Sequence, residues 1–166
     1  LTIHKSKGLE YPIVFLSDLC KGFNYRDSYL SVQTDHSFGI AAKVYDPTEH
    51  VSYPTAALQA ISHKVRMESL SEEMRILYVA MTRPEHRLIM TCCNTSLGKK
   101  IDALAPRISV PLSSAVIEGA GSMGDWILMT ALTHKEGDVL CPGIGCDKED
   151  SPYPWKMEYH VGVELS

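Results

Sequence analysis

The chain has 166 residues, of which 45% are hydrophobic and 22% charged, and a net charge of −4 at pH 7. This is an ordinary globular composition, long enough for one domain with its own core or for one domain and a small appendage. It excludes a membrane-spanning helix, since no apolar run approaches roughly 18 residues, and it excludes a basic slab, since residues 1–100 carry 12 Lys/Arg against 10 Asp/Glu and residues 101–166 carry 4 against 10. Any contact with nucleic acid must therefore be local.

Leu1 opens the chain without an initiator Met or a signal-peptide apolar core, and the residues after it already read as a motif, which implies an excised fragment. Tyr11–Leu16 (YPIVFL) is β-branched and aromatic and is bounded by Gly8 and Pro12, the pattern of a short buried strand. Residues 20–54 hold shorter strand-like pieces, Tyr29–Gln33 and Ile40–Tyr45, separated by Asn, Asp, Gly and Pro, which predicts an irregular insert. Thr55 to Met81 carries the longest helical signal, with Leu58, Ile61 and Val65, then Leu70, Met74, Leu77 and Met81, at steps of 3 and 4. Ser69-Leu-Ser-Glu72 suits a capping box, so the spacing also allows two helices jointed near Ser69. Pro84 stops the helix, and Arg87–Thr91 reads as a second buried strand. A strand, a long helix and a strand are the parts of a parallel α/β sheet. Beyond Asn94, Gly, Ser and Pro become frequent. Met123–Leu132 predicts a short helix, and the alternation from Trp155 to Leu165 predicts a half-buried strand.

The five cysteines stand at 20, 92, 93, 141 and 146. Cys92 and Cys93 lie in the apolar run Leu88–Cys93, where buried free thiols are common. Cys141 and Cys146 have a spacing that a zinc site could use, but no second close Cys/His pair accompanies them. Reduced, cytosolic thiols are the default reading.

Two segments carry chemistry. In Thr2-Ile-His-Lys-Ser-Lys-Gly-Leu-Glu-Tyr11, the residues His4, Lys5, Ser6 and Lys7 put two fixed cations and several hydrogen-bonding groups beside Gly8. Such a cluster before a strand can bind phosphates or a nucleic-acid backbone, and it equally suits a solvated polar turn. The second segment, Glu72 to Arg83, ends a helix on Thr82-Arg83 ahead of Pro84. A guanidinium at that edge can fork onto phosphate oxygens and stabilise charge in phosphoryl transfer. It also suits a surface arginine favourably placed at a helix C-terminus.

Taken together, Thr-Ile-His-Lys-Ser-Lys-Gly-Leu-Glu-Tyr resembles motif V of UvrD/Rep/PcrA-like superfamily 1 helicases. Leu77-Tyr-Val-Ala-Met-Thr-Arg83 resembles motif VI of the same family, in the right order. Asp18-Leu-Cys-Lys-Gly-Phe-Asn24, Tyr45-Asp-Pro47, Tyr53-Pro-Thr55 and Gly124-Asp-Trp-Ile127 resemble AddA-type helicase–nucleases. The resemblance covers residues 1–95 strongly and 96–135 faintly.

It implies an α/β fold: part of a RecA-like (P-loop NTPase-like) parallel-sheet domain 2A over 1–95, with an irregular β insert, then a linker and a small α+β appendage over 96–166. It implies Arg83 as an arginine finger on the γ-phosphate, Glu10 near the nucleotide ribose and Gly8 as the turn glycine of the nucleotide side. His4, Lys5 and Ser6 are implied on single-stranded DNA, and Arg75 and Tyr78 as supports of the nucleotide cleft or as structural residues. Pro84 departs from the alanine common after the finger. The parent would be a cytoplasmic 3′-to-5′ DNA helicase and nuclease of double-strand-break repair. It would use ATP and Mg2+, act on single strands and duplex ends, and pair with a second helicase–nuclease chain.

No G-x-x-x-x-G-K-[ST] phosphate loop occurs here and nothing resembles the acidic strand that holds magnesium, so the fragment alone is expected to bind neither and to be inactive. An inactive helicase-like interaction or regulatory module is the competing reading, which a phosphate loop upstream in the parent would argue against. A zinc module over 134–160 is a third.

Overall fold

The computed structural model describes residues 8–142 and 155–160. Among these, 8–12 with 23–87 form one compact unit, and 13–22 with 88–142 and 155–160 form another. Strands β1 (Tyr11–Leu16) and β5 (Pro84–Met90) pair in a two-stranded sheet. They run parallel: Tyr11 N–H donates to Arg83 O at the start (3.0 Å), and Thr91 N–H donates to Leu16 O at the end (2.9 Å). Pro84 sits on the first residue of its strand, where its missing N–H costs no ladder bond. Both strands were expected to be buried, but only Leu16 is; Ile13 is 50% and Phe15 69% exposed. A two-stranded sheet leaves each strand with a single neighbour, so hydrophobic composition alone does not bury it.

In the first unit the segment expected to be an irregular insert is a regular antiparallel meander. Strands β2 (Val32–Asp35), β3 (Gly39–Asp46) and β4 (Val51–Pro54) pair in that order, with Gln33 opposite Ala41 and Val44 opposite Tyr53. The β2–β3 turn is closed by Asp35, whose Oδ1 accepts from Ser37 and Phe38 N–H, and by Gly39 at φ +77°. Helix α1 (Ala56–Met81) follows. Thr55 caps it: its hydroxyl oxygen accepts from Leu58 N–H at 3.1 Å and donates to Ala42 O at 3.0 Å, tying the helix start to β3. Ala41, Leu58 and Ile61 form the core, with Val65 against it. Lys64 reinforces the packing through a 2.5 Å ion pair with Asp35. The joint expected near Ser69 does not form. Ser69 Oγ donates to Val65 O within the helix instead of capping a new one, and Glu72 pairs with Arg75 on the surface.

The second unit is helical among its described residues: α2 (Leu97–Leu104), the short α3 (Ser114–Glu118) and α4 (Met123–Thr133). Helix α4 is buried almost all round. Trp126 donates from Nε1 to Ile117 O, and Asp125 takes Lys100 Nζ at 2.5 Å together with Gly121 N–H and the Ser122 hydroxyl. At Gly124 a side chain has no room: a Cβ there would lie 2.9 Å from Cys92 Sγ and 3.0 Å from Leu19 O, and its N–H donates to that same Leu19 O at 2.7 Å. The half-buried strand expected from Trp155 is not present over 155–160, and its remainder lies outside the described residues. The appendage is therefore helical where it is described. The reading of Cys92 and Cys93 as buried free thiols is also corrected. Cys93 is exposed, and Cys92 is disulfide-bonded to Cys20, with Cα atoms 5.2 Å apart. Cys141 belongs to no metal-binding cluster among the described residues, and Cys146 lies outside them.

Candidate functional site

The last turn of α1 delivers Arg83 to the start of β1. Helix hydrogen bonding closes with Thr82 N–H on Tyr78 O and Arg83 N–H on Ala80 O, after which Pro84 forces the chain into β5. The Arg83 side chain then turns back on its own helix end. Its Nε donates to Val79 O at 3.0 Å, Nη2 to Thr82 Oγ1 at 3.0 Å, and Nη1 to Leu9 O at 3.3 Å. The Thr82 hydroxyl in turn donates to Val79 O at 3.0 Å. The unsatisfied carbonyls of a helix C-terminus carry partial negative charge, so a cation is favoured there.

These bonds bring together the ends of the two sequence segments. Arg83 Nη1 holds Leu9 O, Arg83 O accepts from Tyr11 N–H, and Glu10 stands between the two. Glu10 and Gly8 are both exposed, and Gly8 has φ +84°, a left-handed turn that a side chain would strain. A guanidinium has five N–H donors; three are engaged here, which leaves two for a ligand. Chemically the corner offers a fixed positive charge with spare N–H groups beside an exposed carboxylate. Tyr78 is 68% exposed on the same helix end, and Arg75 is held by Glu72. His4, Lys5 and Ser6 lie outside the described residues. Sequence reasoning missed Thr82 and the Leu9 carbonyl as partners of Arg83. Only the adjacency of Thr82 in the chain could have signalled the first, and nothing could have signalled the second.

No helix among the described residues is long and apolar enough to cross a membrane. A family model described as the UvrD-like helicase C-terminal domain matches residues 1–95. Among curated proteins, the chain is similar to an ATP-dependent helicase/nuclease subunit of the AddA type from Anoxybacillus flavithermus, with 41% identity over 140 residues, 82% of this chain and 12% of the relative. It is also similar to the proteins of that name from Pelotomaculum thermopropionicum (35% identity, 90% of this chain, 12% of the relative) and Geobacillus kaustophilus (38% identity, 99% of this chain, 14% of the relative). The chain thus spans 12–14% of the length of these relatives.

Proposed function

The chain belongs to the UvrD-like helicase C-terminal domain family, and from that premise we propose that it is part of the second, RecA-like motor domain of an ATP-dependent 3′-to-5′ DNA helicase. On this reading the parent is an AddA-type helicase–nuclease of double-strand-break repair and recombination. Residues 1–95 are the motor part, and 96–166 are a linker and appendage without an assigned role. One observation carries the proposal: Arg83 and Leu9-Glu10, the ends of the motif VI-like and motif V-like segments, meet through the 3.3 Å bond from Nη1 to Leu9 O.

The corner supplies one wall of a nucleotide site. Arg83 faces the γ-phosphate and stabilises the charge that spreads over its oxygens as the bond to the leaving group loosens. Glu10 meets the ribose, and Gly8 turns the chain beneath it. The phosphate-cradling loop and the Mg2+ carboxylates come from the rest of the parent, since the sequence holds no G-x-x-x-x-G-K-[ST]. His4, Lys5 and Ser6 contact single-stranded DNA, and a second helicase–nuclease chain completes the enzyme on duplex ends. The compartment is the cytoplasm; the Cys20–Cys92 bond is the feature that a reducing compartment would open.

The test is Arg83→Ala in the full-length protein. ATP binding is retained and DNA-stimulated turnover falls about 10³–10⁵-fold, with Arg83→Lys recovering little because an ammonium lacks the planar fork. Near-normal turnover in either variant would make Arg83 an ordinary surface residue. For the DNA side, His4→Ala with Lys5→Ala lowers the log–log salt slope of single-strand binding by about 0.7 per lost phosphate contact. An unchanged slope with the fold intact removes these residues from the DNA path.

A further inference from the structure

The function proposed above gives Arg83 a transition-state role and says nothing of what aims its long, freely rotating side chain. Resting on that reading, we infer that Thr82 is the positioning residue of Arg83: its hydroxyl fixes which edge of the guanidinium is left to meet the phosphate. Two oxygens, Val79 O and Thr82 Oγ1, take the Nε and Nη2 hydrogens, each at 3.0 Å. The hydroxyl is itself anchored by donating to Val79 O at 3.0 Å, and a β-branched side chain has few χ1 rotamers to escape into. The Nε–Nη2 edge thus rests on a stationary template built from the helix end. Leu9 O takes one further hydrogen from Nη1. What remains is one N–H on each terminal nitrogen, a pair whose spacing matches two oxygens of a phosphoryl group. Without the hydroxyl, Nη2 has no acceptor here and the guanidinium can swing about its Nε bond.

A threonine at a helix end can also bond back to a carbonyl three residues earlier and do nothing more, which affects only the helix. The two roles separate in kinetics. In the full-length protein, single-strand-stimulated ATP hydrolysis is measured for Thr82→Val, which keeps the shape and removes the hydroxyl, and for Thr82→Ser, which keeps the hydroxyl. Arg83→Ala and the Thr82→Val/Arg83→Ala double variant are measured beside them. Thr82→Val should lower kcat about 10–100-fold, the size of effect that misplacing a reacting group produces, with KM for ATP within about twofold of wild type. Thr82→Ser should recover most of that loss. The double variant should be no slower than Arg83→Ala alone, because Thr82 acts through Arg83. Should Thr82→Val fail to bind ATP, Thr82→Ala against Thr82→Ser carries the same comparison. A normal kcat in Thr82→Val beside a collapsed Arg83→Ala overturns the role of Thr82 and leaves the finger standing. Equal losses in the Val and Ser variants overturn the role of the hydroxyl. Near-normal turnover in Arg83→Ala overturns the finger itself.

Discussion

Helix α1 runs for 26 residues and buries five of them, whereas α4 runs for 11 and buries eight. The difference tracks what each helix is for. Helix α4 is apolar nearly all round, its cap network is internal, and Gly124 brings its backbone against Leu19. Helix α1 packs its first turns on the meander and then presents Tyr78, Thr82 and Arg83 at its far end. Side chains that hold the fold and side chains that face a ligand are therefore carried by different helices. A substitution at the Arg83 end should change chemistry without changing stability, and a substitution in α4 should do the reverse.

The sharpest test of that contrast in the 166-residue chain is Leu132→Ala, since Leu132 is 0% exposed in α4. Its cavity should cost about 2–5 kcal/mol, read as a lowered urea midpoint, while Tyr78→Ala on the exposed end of α1 should stay within about 0.5 kcal/mol. Equal costs would break the contrast.

Acid titration sharpens it next. Burial pushes the Asp125 carboxyl up, but the Lys100 ammonium, the Gly121 N–H and the Ser122 hydroxyl together outweigh it and hold the group below the usual carboxylate range. Asp35 is held low too, by its hydrogen bond from Lys64 and then by the Ser37 and Phe38 N–H groups. Both folded pKa values are depressed, so each carboxylate contributes stability that is present above its unfolded pKa, about 3.9, and is lost as pH falls through the folded value. The thermal midpoint should drop on acidification below about pH 4. Asp125→Asn should flatten that drop more than Asp35→Asn, because Asp125 is the more completely enclosed. The opposite order, or no flattening, would count against α4 as the better-held region.

The smallest expected effect is at the start of α1. Thr55→Ala removes the cap on Leu58 N–H and the tie to Ala42 O, and should cost about 1 kcal/mol in the same urea titration. No measurable change would mean that packing on the meander alone starts the helix.

Local signals were legible in the sequence. The strand Tyr11–Leu16, the Thr55 start and Met81 end of α1, and α4 from Met123 each rest on residues within a few positions of one another. What was not legible depends on distant partners. The meander needs β3 to find both β2 and β4, so Asn, Asp, Gly and Pro between the pieces read as irregularity rather than as turns. Cys20 and Cys92 are 72 residues apart and share no pattern. At Ser69 the same hydroxyl can cap a new helix or bond back within an existing one, and only the continuous packing of Leu70 and Leu77 decides between them. The position of Arg83 was legible from Thr82-Arg83-Pro84. Its tether was not, because Leu9 contributes a backbone oxygen, which no side-chain pattern records, from 74 residues away.

The unbroken course of α1 also has a mechanical meaning. At 1.5 Å per residue its 26 residues make a rod about 39 Å long, with the meander bound at one tip and Arg83 at the other. A joint at Ser69 would have absorbed any rotation halfway along. Without one, tilting the rod by about 5° at the Arg83 tip sweeps the Thr55 tip through about 3 Å. The same leverage in reverse turns an ångström-scale push on the meander into a degree-scale reorientation of the guanidinium's mounting.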